Sequence, residues 1–114
     1  MFKAVHYTRV EAEEVEEGGA KGVSVRWLIK EDDGAGNFAM RLFDVEPAGY
    51  TPLHSHSWEH EVFILDGQGS VLCGDTETKV SPGYVVFIPP DMRHCFKNTG
   101  KGKLRFLCLI PCKE

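Results

Sequence analysis

The sequence lacks a run of basic residues, a long apolar segment and an apolar N-terminus, and each absence excludes a class of protein. Lys and Arg number 13 against 17 Asp and Glu, for a net charge of −4. Binding to a phosphate backbone requires clustered cations, so nucleic acid is not an expected partner. No segment approaches the roughly 20 apolar residues of a membrane span, and residues 1–10 lack the apolar stretch of a signal peptide. We therefore expect a cytoplasmic protein without membrane contact.

Paired cysteines of the CxxC type are also missing, which disfavours a zinc ribbon or a thioredoxin-type redox centre. The chain has four cysteines, at positions 73, 95, 108 and 112. In a reducing cytosol their default state is the free thiol. We expect Cys73, Cys95 and Cys112 to be buried as small hydrophobes, and we consider Cys108 separately below.

The chain length and the pattern of short strands and turns indicate a single all-β domain over residues 1–114. A chain of this length forms one core, and only the glutamate-rich segment 11–17 could be helical. Because that segment has no apolar face, we predict a solvated loop or a short turn there. Short strands separated by Gly and Pro turns are typical of a sandwich or barrel. Asp66-Gly67 predicts a tight hairpin, and Pro47-Ala48-Gly49 predicts the end of the second strand. The predicted strands cover residues 23–30, 37–45, 50–56, 61–65, 70–73, 77–80, 84–88 and 104–110.

Four of the five histidines form the most informative pattern: His54-Ser55-His56, then His60, then His94. Imidazole is the commonest protein ligand of transition metals. If residues 50–56 form a strand, His54 and His56 point to the same face. His60 follows a short connection that could return the chain to that face, and His94 must come from a distant strand. A site built this way requires a sheet that curls back on itself.

The histidines belong to two spaced motifs. The first covers residues 49–67 and contains a glycine, an HxH pair, a further residue at the usual acid position and a second glycine: Gly49, His54, His56, His60 and Gly67. The second covers residues 83–98 and contains Gly83, Pro89, Asp91, His94 and Asn98. With these motifs the chain resembles the cupins, in particular the small single-domain bacterial ones with a four-histidine site.

Three positions depart from the usual cupin motifs. Gly49 lies one residue closer to His54 than is usual. Asp91 replaces a glycine, which is a mild change because Asp tolerates the left-handed backbone better than most residues. His60 stands where the family usually has Glu, so the expected ligand set becomes four histidines. A register one residue longer would instead deliver Glu61, but on a strand Glu61 would face away from the site.

The resemblance implies a double-stranded β-helix, a jelly-roll barrel, with His54, His56, His60 and His94 as ligands of one divalent transition metal. Mn, Fe, Ni, Cu and Zn all remain open as its identity. Four neutral imidazoles would leave the metal its full 2+ charge and favour an anionic exogenous ligand. The alternative is that these histidines are structural residues without a metal.

The resemblance also implies a pocket wall. Arg41 and Phe43 share a face of one strand, Phe106 and Cys108 share a face of another, and equivalent residues line the cavity in similar small cupins. Arg41 is the predicted catalytic residue, because a buried arginine needs an anion or hydrogen-bonded partners. It would hold a substrate carboxylate or a bound oxygen species, unless it forms a structural ion pair. Cys108 is either exposed to oxidants at the metal or packed inertly. Trp58 either caps the barrel mouth or packs at an interface.

These features favour a metal-dependent, dioxygenase-like oxygenase or oxidoreductase that acts on a small dicarbonyl or enol. No second carboxylate is an obvious general base, and Glu61 and Asp44 are the nearest options. Two alternatives stay open: a metal-binding and ligand-binding module without turnover, and a metal-dependent isomerase or decarboxylase. Open jelly rolls leave sheet edges that a second copy can cover, so we also expect a homodimer.

Overall fold

The computed structural model describes residues 2–112 (for Glu17 only the backbone) and consists of β-strands joined by turns and three 3-10 turns. This confirms the all-β prediction. The strands are β1 (Glu13–Glu14), β2 (Lys21–Ile29), β3 (Phe38–Tyr50), β4 (His60–Asp66), β5 (Gly69–Cys73), β6 (Thr76–Val80), β7 (Val85–Ile88), β8 (His94–Asn98) and β9 (Leu104–Pro111). The 3-10 turns are Tyr7–Arg9, Glu17–Gly19 and Glu31–Asp33.

All strands pair antiparallel in one sheet of order β6-β5-β8-β3-β9-β4-β7, with β2 added to β3 and β1 added to β2. Burial alternates along β4 and β9 with a period of two, because successive strand side chains point to opposite faces. The inward faces form one core, whose largest fully buried side chains are Phe106, Ile64, Ile88, Leu104 and Val45. The curled sheet thus provides the concave face that the histidine pattern requires.

β3 is longer than predicted, because residues 47–49 do not end it. The strand continues to Tyr50, but its register with β2 shifts between the Val23–Val45 pair and the Lys21–Tyr50 pair. An irregularity of this kind inserts extra residues into one strand while the pairing continues on both sides. Residues 47–49 therefore form a bulge within β3 and do not end the strand.

The predicted strand over residues 50–56 is wrong. Beyond Tyr50 the chain runs irregularly to His60 and touches β8 only locally: the Thr51 N–H donates to the Phe96 carbonyl at 2.9 Å, and His54 forms an isolated bridge with His94. Proline has no N–H to donate to a ladder, and Pro52 lies between these two contacts. His54 and His56 are consequently held by a loop.

The predicted hairpin at Asp66-Gly67 is also wrong, although the turn itself exists. The Gly67 N–H donates to Asp66 Oδ1 at 2.9 Å, and Gly67 has a φ of 87°. The flanking strands do not pair with each other, because β4 pairs with β7 and β9 whereas β5 pairs with β6 and β8. The turn carries the chain from one half of the curled sheet to the other.

The glutamate-rich segment differs from the predicted loop in containing β1, whose Glu13 and Glu14 pair with Val25 and Ser24. The four cysteines are free thiols, as expected; Cys95 and Cys108 are buried, while positions 73 and 112 are partly exposed. Within residues 2–112, no helix is both long and apolar enough to cross a membrane.

Candidate metal and ligand site

The fold brings the four motif histidines together. His60 begins β4 and His94 begins β8, and the loop over residues 51–59 supplies His54 and His56. The ring centroids lie 4.3 Å apart for His54 and His56, 5.0 Å for His54 and His94, 4.7 Å for His60 and His94, and 5.3 Å for His56 and His60. Each imidazole therefore has two others of the set as direct neighbours.

The rings are close but are not arranged as a finished coordination sphere. Among the described residues, no three His, Cys, Asp or Glu side chains are positioned to hold a metal ion. The ring planes of His54 and His94 meet at 64°, and those of His60 and His94 meet at 62°. Coordination of one metal by the four histidines therefore remains a prediction.

The chemistry of the rings nevertheless fits a metal. His94 Nδ1 lies 2.9 Å from the Met92 carbonyl oxygen, and because a carbonyl only accepts, this nitrogen carries the proton. The other ring nitrogen then keeps its lone pair, as metal-ligating histidines commonly do. His60 is buried, and its Nδ1 has no hydrogen-bond partner. A buried polar atom without a partner is costly unless something supplies one.

Three of the four histidines, His54, His60 and His94, are neutral at pH 7. Burial, together with the nearby His56 and His94, lowers the pKa of His54 to about 4. Burial likewise lowers the pKa of His60 to about 3, helped by His94 and Arg41. The pKa of His94 is also lowered, chiefly by burial. Only a neutral imidazole has a lone pair to give to a metal, so these three side chains are in the protonation state that metal binding requires.

The histidines line one end of an open cavity of about 570 Å³, and the predicted pocket residues line the same cavity: Arg41, Phe43, Trp58, Phe106 and Cys108. Phe106 connects the cavity wall to the core, because it stacks on Phe43 at 5.2 Å and on Phe96 at 4.5 Å between ring centroids. The wall therefore contains stacked aromatic rings.

Sequence reasoning missed several residues of the wall, and two groups of them bear on the chemistry of the cavity. One is Trp27, which lies on the same face of β2 as Val25 and could have been found from strand alternation. The other is the acidic segment of Glu13, Glu14 and Glu16, which lies at the cavity. No local signal predicts that position, because it depends on β1 pairing with β2.

Trp58 stacks on His56 with the ring planes 6° apart and the centroids at 4.4 Å. Its indole Nε1 is buried without a hydrogen-bond partner. Trp58 therefore braces a candidate ligand from the loop, as well as lining the cavity.

Cys108 is a buried, protonated thiol. Burial raises its pKa, although Arg41 partly opposes the shift. Since the thiolate is the reactive form, inert packing describes this residue better than redox chemistry. Arg41 Nη2 donates a hydrogen bond to its sulfur at 3.0 Å.

Glu61 and Asp44, the two carboxylates considered as general bases, lie outside the cavity wall. Glu61 is exposed on the face of β4 opposite to buried His60, which agrees with His60 as the residue facing the site. Asp44 is buried and accepts two hydrogen bonds from Arg105, at 2.7 and 3.2 Å. Neither lines the cavity.

Comparison with known proteins relates the chain to one family. The family model of the Cupin domain matches residues 41–110. The structure of the polyketide cyclase RemF from Streptomyces resistomycificus has a TM-score of 0.92 and 42% sequence identity, covering 99% of this chain and 81% of that chain. A predicted oxalate decarboxylase from Thermotoga maritima has a TM-score of 0.85 and 26% identity, covering 96% of this chain and 98% of its own.

A curated relative from Rhodospirillum rubrum, 1-methylthio-D-xylulose 5-phosphate methylsulfurylase, is 33% identical over 87% of this chain. The chain spans 64% of that relative's length. The three names describe different reactions, so the shared fold does not by itself choose an activity.

Proposed function

This chain belongs to the cupin family and has the all-β cupin fold, and from that premise we propose that it is a metal-dependent cyclase of a polyketide-like substrate. The observation that carries the proposal is one cavity of about 570 Å³ with four imidazoles and a stacked aromatic wall. The 42% identity to RemF over nearly the whole chain supports it. A polyketide is a chain of 1,3-dicarbonyl units, which is the dicarbonyl or enol class expected from the sequence.

In this proposal His54, His56, His60 and His94 hold one divalent ion. The metal, when bound, would supply Lewis-acid chemistry by polarising a carbonyl oxygen. His94 is oriented by its hydrogen bond to the Met92 carbonyl, and Trp58 braces His56. The fourth imidazole, from His60, adds no negative charge where a glutamate would.

The cavity wall suits a flat, conjugated molecule. Phe43 and Phe106 stack with planes 16° apart, and aromatic faces attract further planar groups in offset or edge-on arrangements. Such walls would hold a folded poly-carbonyl chain with its reacting carbons close together and would exclude water from them.

The proposed reaction is an intramolecular aldol condensation. A bond forms between an enol carbon and a carbonyl carbon, and the enol O–H proton passes, through solvent or a carboxylate, to the former carbonyl oxygen. The hydroxyl so formed then leaves together with a second proton from the attacking carbon as one water, and a carbon–carbon double bond remains. No oxidant is consumed. Of the described side chains, the carboxylates on the cavity wall are Glu13, Glu14 and Glu16, which could receive the proton at the mouth.

Heptane-2,4,6-trione is a suitable test substrate, because its condensation between the terminal methyl carbon and the far carbonyl gives a methylresorcinol and one water. We expect protein loaded with Zn, Mn, Fe, Ni or Cu to accelerate this conversion with at least one of the metals, and chelation to abolish the acceleration. Product is followed by mass spectrometry and dissolved oxygen by an electrode. No acceleration with any metal would refute the cyclase.

The same assay separates the other hypotheses. Oxygen uptake would favour the dioxygenase-like oxygenase that the sequence predicts. Release of carbon dioxide from a carboxylated substrate would favour a decarboxylase, for which the similarity to the Thermotoga maritima protein is the supporting observation. Saturable binding with the ligand recovered unchanged would favour a binding module.

We also propose that the protein is a homodimer joined through the outer face of β4 and β7. Phe63, Val85 and Phe87 are 44%, 74% and 57% exposed on that face. Phe63 lies opposite both Val85 and Leu107, so the apolar side chains are contiguous. In the part of the chain that the structure describes, β7 pairs only with β4. An apolar face beside an unpaired edge is what a symmetric partner covers.

Phe87→Glu is expected to convert the dimer to monomer, because a carboxylate buried at the interface is costly without a partner. Phe38→Glu is the matched control, since Phe38 is 60% exposed but lies outside this face. Light scattering coupled to size exclusion gives the mass. A monomeric wild-type protein, or dissociation by Phe38→Glu to the same extent, would contradict the proposed interface.

A further inference from the structure

Arg41 is a cation in the cavity wall that has no carboxylate partner among the described side chains. It lies in β3 between Trp27 of β2 and Cys108 of β9, its direct cross-strand neighbours. The ion pairs formed by other arginines, Arg26 and Arg105, both go to Asp44. Of the Asp and Glu side chains that the structure describes, which leaves out Glu17, none lies within ion-pair distance of Arg41.

The hydrogen bonds of Arg41 are also incomplete. Its Nη2 donates to Cys108 Sγ at 3.0 Å, but a thiol sulfur is a weak acceptor. Its Nε is buried and has no partner. A guanidinium carries five N–H donors and stays charged in proteins. Arg41 is partly buried, so some of these donors are removed from water without an anion or a strong acceptor, which is unfavourable.

The guanidinium is nevertheless held in place. Its central carbon lies 5.3 Å from the Trp27 ring centroid and 4.9 Å from that of Phe43. Both rings attract a cation through their faces, and Cys108 anchors one end of the fork. The group is therefore oriented before any ligand arrives, which lowers the entropy cost of binding.

The charged residues around the cavity indicate where the anionic end of a ligand would bind. Glu13 and Glu14 lie on β1, which is separated from the Arg41 strand by β2. A carboxylate in the cavity would be repelled by the acidic segment and attracted by Arg41, and also by a metal ion held by the histidines. Of the described side chains that line the cavity, Arg41 is the one Lys or Arg, so in the metal-free protein the anionic end of a ligand would be directed to it.

We propose that Arg41 forms a carboxylate subsite, so that the ligand of this cavity is an aromatic or polyketide-like molecule with a terminal carboxylate. The inference deepens the proposed function, because it places the anionic end of the substrate at Arg41. It rests on that function only in assuming that the substrate occupies this cavity. Binding at Arg41 requires neither turnover nor metal.

The test compares 2-naphthoate with its neutral isostere 2-naphthamide, using the full-length protein as purified and after chelation. Calorimetry gives both dissociation constants. We expect wild type to prefer the carboxylate by about tenfold or more, since bonds between charged groups are about twice as strong as neutral ones. Arg41→Gln should remove the preference, and Arg41→Lys should restore only part of it, because lysine lacks the planar fork. Arg9→Gln, which makes the same charge change at an exposed position, should leave the preference intact.

Several outcomes would overturn the subsite. Equal affinity of wild type for both probes, or no saturable binding of naphthoate, would exclude it. A preference that persists in Arg41→Gln but disappears on chelation would assign the carboxylate to the metal instead. If Arg41→Gln does not fold by circular dichroism, Arg41→Lys decides, since an unchanged preference there would exclude recognition by the fork. A cyclase that fails while the carboxylate preference holds would refute the proposed reaction and leave the subsite standing.

Discussion

Replacing His94 with alanine is expected to lower the affinity for a divalent metal by about a hundredfold or more, given that even residues that only orient a metal ligand contribute tenfold to a hundredfold. His94 is buried, begins β8 and bonds to both Met92 and the backbone of His54. Its loss removes one nitrogen donor, whereas the backbone bonds to His54 remain and keep the loop in place. Elemental analysis after dialysis and competition with a chelator measure the effect.

The matched control for this change is His6→Ala. His6 is exposed, and its ring contacts only Thr8 and Tyr7 among the described residues. It should bind metal as wild type does. Retention of metal by His94→Ala, or a similar loss in His6→Ala, would rule out the four-histidine site.

His60→Leu extends this prediction by separating a metal ligand from a structural histidine. The His60 side chain is buried with an unpartnered Nδ1, so an apolar residue of similar size should raise the free energy of unfolding of the metal-free protein by about 1 kcal/mol. The same change should abolish stabilisation by metal, which is about 2.7 kcal/mol when free metal is at 100 times its Kd. Urea denaturation with and without metal measures both. Lower stability without metal would instead favour a structural role.

Gly67→Ala is expected to cost at least about 3 kcal/mol of unfolding free energy, as overpacking and backbone strain add. Gly67 has a φ of 87°, and an added Cβ would overlap the Lys103 carbonyl oxygen and lie 2.8 Å from Leu104 Cα. These are backbone atoms at the start of β9, which cannot move without disturbing the core at Leu104. Since a domain has a total stability of about 5–15 kcal/mol, a large part of it would be lost.

Gly83→Ala is the matched control for this prediction. Gly83 has a similar φ of 95°, but an added Cβ would meet nothing within 4 Å. It should therefore show only the cost of a left-handed alanine, about 1–2 kcal/mol. Urea midpoints of the two variants give the difference. Equal losses would mean that backbone conformation alone, and not the approach of Lys103, requires glycine at position 67.

The two glycines illustrate how far the sequence alone could go. Both occupy motif positions, and a turn is a local property, so Asp66-Gly67 and Pro82-Gly83 were recognisable as turns. Asp91 in place of the motif glycine adopts a φ of 67°, as expected for a residue that tolerates this conformation. The hairpin expected at Gly67 does not form, because strand pairing depends on residues far away in the chain.

The candidate site was also only partly predictable from the sequence. The spacing of the histidines and the resemblance to the cupins were sufficient to nominate about half of the residues that line the cavity. They could not reveal that residues 51–59 form a loop, or that β1 places an acidic segment at the cavity. Nor could they reveal that Arg41 lacks a carboxylate partner, because the absence of a partner is a property of all surrounding strands together.

The sequence by itself determined the all-β class, the cupin motifs and the set of histidines, since these depend on residue type, spacing and local backbone preference. Only the tertiary structure decided which strands pair, how the imidazole rings are oriented and which charges near the cavity stay unpaired. Those features arise from contacts between residues that lie far apart in sequence, such as Arg41 with Cys108 and Gly67 with Lys103, and no local pattern encodes them.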